Sequence, residues 1–75
     1  MPDFPIISGK RLLAILQKHG FEFVRQKGSH ARVASADGKC KTVIPIHANR
    51  DLPIGTLKNI LEDLDIKGNE FIEWF

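Results

Sequence analysis

A length of 75 residues predicts a single domain, residues 1–75, near the size at which burying a core only just offsets the entropy lost on folding. One cysteine, Cys40, excludes an internal disulfide, and the absence of a Cys/His cluster at ligand spacing leaves no case for structural zinc or another metal. The net charge of +2 is unevenly spread: residues 1–50 carry nine Lys/Arg against three acids, and residues 51–75 two against six, so the first part suits a polyanionic partner. The longest apolar run, Leu12 to Leu16, is far short of the ~20 residues of a membrane span. Met1-Pro2-Asp3-Phe4-Pro5 lacks the basic start and apolar stretch of a signal peptide, so a cytoplasmic protein is expected.

Ser8 ahead of Gly9-Lys10-Arg11-Leu12 is a candidate N-cap, and Leu12, Ile15 and Leu16, with Leu13 beside them, make an apolar stripe at helical spacing. Gly20 can take the left-handed conformation that closes a helix, which predicts a helix over 9–19. His19 at that end suits the helix C-terminus better than it suits a ligand role. From Phe21 the period changes. Phe21-Glu22-Phe23-Val24-Arg25-Gln26 predicts a strand, Lys27-Gly28-Ser29 a turn, and His30-Ala31-Arg32-Val33-Ala34-Ser35 a second strand. Alternation puts His30 and Arg32 on one face, Ala31 and Val33 on the other. Asp37-Gly38 signals a hairpin, and Cys40-Lys41-Thr42-Val43-Ile44 is a third strand that Pro45 ends or pushes to an edge. Lys41 then comes near Arg32.

His47 to Pro53 reads as a loop. Ile54, Leu57, Ile60, Leu61 and Leu64 form an amphipathic helix that ends at Ile66-Lys67-Gly68. Asn69 is expected to cap a last turn whose Phe71, Ile72, Trp74 and Phe75 complete the core or dock on a partner. The resulting plan is α+β: helix, three antiparallel strands, helix, with the helices on one sheet face and the other face open.

The stretch Arg25-Gln26-Lys27-Gly28-Ser29-His30, with Arg32 beyond it, has the residue types that phosphate chemistry requires. Glycine permits a tight turn close to a ligand, Arg and Lys orient phosphate oxygens, and histidine exchanges protons near neutral pH. Ser29 lacks a third residue to orient a nucleophilic triad, and His19, His30 and His47 do not have metal-site spacing.

Several blocks together resemble the HicA-type mRNA interferase toxins of bacterial and archaeal toxin–antitoxin pairs. They are Ser8-Gly9-Lys10 opening a Leu-rich helix, Gly20-Phe21, Val24 to His30, Val43-Ile44-Pro45-Ile46-His47, Pro53 to Leu57 leading into Ile60-Leu61, and the Phe71 turn. The likeness covers about residues 8–72. It implies a fold similar to double-stranded RNA-binding domains, a ribonuclease that cleaves mRNA without metal or other cofactor, and inhibition by a HicB-type antitoxin. The family's catalytic histidine falls on His30.

RNA cleavage requires a base for the 2′-hydroxyl proton, an acid for the departing 5′-oxygen and positive charge for the phosphorane between them. His30 supplies one proton carrier, with His47 or water as the other. Arg25, Lys27, Arg32 and Lys41 are the candidate electrostatic groups, with Gly28 and Ser29 forming the turn against the RNA. Two other classes stay open: a non-catalytic RNA-binding module on the same basic face, and a protein-interaction module based on the apolar C-terminus.

Overall fold

The first helix starts where the Ser8 Oγ accepts the Arg11 N–H at 3.2 Å, relieving one of the amide donors that a helix N-terminus leaves without partners. In the computed structural model, which describes residues 4–48 and 50–75, this helix is α1 (Gly9–Lys18). Gly20, at φ +93°, closes it: the Gly20 N–H donates to the Gln17 carbonyl and the Phe21 N–H to the Leu16 carbonyl, the paired bonds of a Schellman end. The chain continues as β1 (Glu22–Lys27), β2 (His30–Ala34), β3 (Lys41–Pro45), α2 (Ile54–Asp63) and α3 (Gly68–Ile72).

The strands form one antiparallel sheet in the order β1-β2-β3. Ala31 and Val33 on β2, and Thr42 and Ile44 on β3, are buried, while His30, Arg32, Lys41 and Val43 are exposed. That alternation is the period-2 pattern of a sheet covered on one side. Leu12 and Leu16 from α1 and Leu57, Ile60 and Leu61 from α2 join Val33 and Ile44 in the core. The expected α+β plan, with helices on one face, is what the chain adopts. β1 is exposed along its whole length, as an edge strand of the sheet.

Between β2 and β3, the Ser35 Oγ donates to Asp37 Oδ1 at 2.6 Å, and the Lys39 N–H donates to the same oxygen at 3.0 Å. The Ser35 hydroxyl first, and the Lys39 amide after it, hold the Asp37 carboxyl below the usual aspartate range.

Three details differ from the sequence expectation. Ile54, expected on the buried stripe, is 50% exposed at the first position of α2, and the stripe that reaches the core is Leu57, Ile60, Leu61 and Leu64. α2 stops at Asp63 rather than near Ile66: Asp65 takes φ +57°, its N–H donates to the Glu62 carbonyl, and the Ile66 N–H donates to the Leu61 carbonyl. An aspartate thus fills the place glycine takes after α1. Pro45 closes β3, an edge strand, as expected. Asn69 lies inside α3, whose N-cap is Lys67, and caps nothing. Met1, Pro2 and Asp3, and Asn49 within the expected loop, lie outside the described residues.

α3 completes the core through Phe71, which is fully buried. Its ring meets Trp74 and Phe75 edge-on at centroid distances of 5.6 and 5.1 Å, and Phe4 at 6.4 Å. His19 stacks on Trp74 at 4.0 Å with 8° between the planes, which fastens the end of α1 to the C-terminal turn.

Candidate functional site

Gly28 and Ser29 join β1 to β2 in a two-residue turn. Gly28 takes φ +59° and Ser29 a negative φ, the signature of a type II′ turn with glycine at its first central position. A side chain at Gly28 would meet no neighbour within 4 Å, so the requirement for glycine comes from the backbone angle and not from crowding. The Gln26 Nε2 donates to the Gly28 carbonyl at 3.0 Å, and the Ile46 N–H donates to the Ser29 carbonyl at 2.6 Å. These two bonds hold the turn against the ends of both neighbouring strands.

The register then sets the site. Lys27 pairs with His30 across the turn, and His30 pairs with Pro45 on its other side, all at one end of the sheet. Arg32, two residues further and on the same outward face, lies between Arg25 and Val43. Phe23 opposes Val33 while Arg25 opposes Arg32, so Val24 is the extra residue of a β-bulge. The bulge resets the alternation of β1 and aligns Arg25 and Lys27 with the outward residues of β2.

A concavity of about 660 Å³ opens on this end of the face, lined by Lys27, Gly28, Ser29, His30, Arg32 and Val43. Five residues singled out from the sequence therefore meet in one hollow. Lys41 lies in the adjacent concavity with Arg32, and Arg25 lines neither. His47, two residues beyond Pro45, is exposed and outside the hollow that holds His30.

The adjacent concavity, about 540 Å³, runs from Val24, Arg32 and Val43 to the Thr56, Asn59 and Asp63 side of α2. Sequence reasoning misses these α2 residues and both valines. Only the bulge at Val24, and the packing of a helix distant in sequence, bring them together. The Thr42 hydroxyl donates to Asp63 Oδ2 at 2.9 Å, linking β3 to α2.

Among the described residues no three His, Cys, Asp or Glu side chains stand close enough to hold a metal ion, and no helix is long and apolar enough to cross a membrane. An open sheet whose histidine, His30, sits at a glycine turn among cations defines a small α+β domain with a cationic patch on its uncovered face. The family model for the HicA toxin of bacterial toxin-antitoxin systems matches residues 9–66, from the first residue of α1 to just past α2. The chain belongs to this family: it is a toxin of the kind that is held in check by a cognate antitoxin. No curated protein matches the sequence.

Proposed function

We propose that this toxin is a metal-independent mRNA endoribonuclease of the cytoplasm, with His30 as general acid or base. The carrying observation is the convergence of His30 with Lys27, Gly28, Ser29 and Arg32 in one open hollow. In the reaction, the 2′-oxygen of a ribose attacks the adjacent phosphorus as its proton leaves, and the bond to the 5′-oxygen breaks as that oxygen gains a proton. His30 is exposed on this face, and an imidazole is the side-chain type suited to exchanging a proton with a bound ribose or phosphate oxygen. Lys27 and Arg32 line the same hollow and offset the charge that builds on the phosphorane oxygens, with Arg25 and Lys41 extending the cationic surface along the RNA. His47 lies outside the hollow, so water carries the second proton, and a slow nuclease results.

A HicB-type antitoxin is the inhibitor in this proposal, and it covers the same face. The test is cleavage of a defined RNA by wild type and by His30→Ala in excess chelator. The variant is expected to lose on the order of 10²- to 10⁴-fold in rate at unchanged melting temperature, because an exposed strand residue contributes little to the core. Cleavage by a folded His30→Ala protein at the wild-type rate refutes the role. RNA binding without cleavage by wild type supports instead a non-catalytic RNA-binding module.

A further inference from the structure

The hollow that holds His30 and the concavity beside α2 share one wall, formed by Arg32 and Val43. These two residues are direct cross-strand partners, so the wall is a fixed part of the sheet and not a chance contact of long side chains. A chain of phosphates with one linkage at His30 that crosses this shared wall has its next nucleotide on the α2 side. Its lining includes the apolar Val24 and Val43, the cations Arg32 and Lys41, and Thr56, Asn59 and Asp63 as hydrogen-bonding groups. Apolar walls with a few polar groups are what a flat heteroaromatic ring requires, and about 540 Å³ lies within the ~300–1,000 Å³ typical of small-ligand sites.

We propose that this concavity is a subsite for one unpaired nucleobase next to the cleaved linkage, and that Asp63 makes it prefer guanine. The proposal rests on the ribonuclease reading of the neighbouring hollow. A base buried there has left any duplex, so the substrate is single-stranded, since an A-form helix keeps its bases stacked inside. The Thr42 hydroxyl occupies one lone pair of Asp63 Oδ2, which leaves the carboxylate able to accept further hydrogen bonds. An ionised carboxylate only accepts, and among the four bases guanine alone presents two adjacent N–H donors, N1–H and the N2 amino group, on its pairing edge. Adenine, cytosine and uracil each set a ring nitrogen or carbonyl acceptor beside their donor, which the carboxylate repels. The Asn59 amide is available to donate to the guanine O6.

The experiment measures binding of pentanucleotides UUXUU, with X as G, A, C, U or an abasic residue, made with 2′-fluoro riboses that lack the nucleophile for cleavage. For wild type, UUGUU is expected to bind roughly ten-fold more tightly than the other three bases, with the abasic pentamer weakest. Asp63→Asn keeps an acceptor for Thr42 but replaces the second oxygen by a donor, and it is expected to bring the four bases within about two-fold. Independently of that variant's folding, the amide NMR signals of Thr56 and Asn59 in wild type are expected to shift with UUGUU and not with the abasic pentamer. Equal binding of all five pentamers, preference for another base, or a guanine preference that survives in folded Asp63→Asn overturns the proposal. Because the pentamers cannot be cleaved, their binding tests the subsite whatever His30 does, and the His30→Ala cleavage result stands whatever the pentamers do.

Discussion

Gly9→Ala places a methyl group where the end of β3 already lies. A Cβ built on Gly9 falls 2.1 Å from the Pro45 carbonyl oxygen, 3.1 Å from its carbon and 3.2 Å from Ile46 Cδ1. Two effects of opposite sign compete. Alanine is better than glycine within a helix by about 1 kcal/mol, and less at the first helical position, where few backbone bonds depend on it. The contact at 2.1 Å is with backbone, so no side-chain rotation relieves it, and either α1 or β3 has to shift; overpacking of this kind costs about 1–3 kcal/mol. The clash wins, and Gly9→Ala is destabilised by about 1–2 kcal/mol net, a melting temperature lower by ~4–16 °C in a domain of this size. Gly55, also in a first helical turn, has no atom within 4 Å of the place a methyl would take, so Gly55→Ala is expected to stabilise by about 0.4–1 kcal/mol. Thermal melts of the two variants beside wild type make the assay. Because Pro45 pairs with His30, Gly9→Ala also moves one flank of the hollow, and RNA cleavage is expected to fall along with stability. A Gly9→Ala protein as stable as Gly55→Ala would refute the close approach and the coupling argued from it.

Changing Lys27, Arg32 or Lys41 to Ala is expected to weaken RNA binding across sequences and to lower the slope of log affinity against log salt by about 0.7 each, as one counterion fewer is released; His30→Ala leaves the slope in place. An equal slope for all four variants would place the phosphates elsewhere. With the cognate antitoxin bound, amide exchange is expected to slow from Arg25 to Arg32 and RNA cleavage to stop; a footprint confined to the other face of the molecule refutes a shared surface. Asp37→Asn tests the β2–β3 turn. Since the native carboxyl titrates below its ordinary value, its contribution is fully present above that value and is lost as pH falls through the lowered native one. The melting-temperature advantage of wild type over Asp37→Asn is therefore expected at neutral pH and to vanish in strong acid; an advantage that persists there removes the hydrogen-bonded carboxylate as its source.

Features that depend on neighbours along the chain are legible in the sequence of this toxin. Ser8 and Gly20 mark the ends of α1 because capping and left-handed closure involve residues three to five apart. Gly28-Ser29 marks its turn because few residues other than glycine take φ +59° cheaply, and strict alternation from that turn is enough to direct His30 and Arg32 outward. The end of α2 escapes such reading for the converse reason: Asp65 closes it in a conformation that aspartate adopts only when the flanking contacts, here Ile66 in the core, make it worthwhile. Which of Arg25, Lys27 and Lys41 join Arg32 beside His30 is a matter of tertiary structure, since the three look alike in sequence and differ in register, bulge and strand position. The Gly9 contact with Pro45, the His19–Trp74 stack and the Thr42–Asp63 bond join residues 21 to 55 positions apart, and no local pattern encodes such pairs. They arise when two helices close over one sheet face, and that closure leaves His30 on the open side.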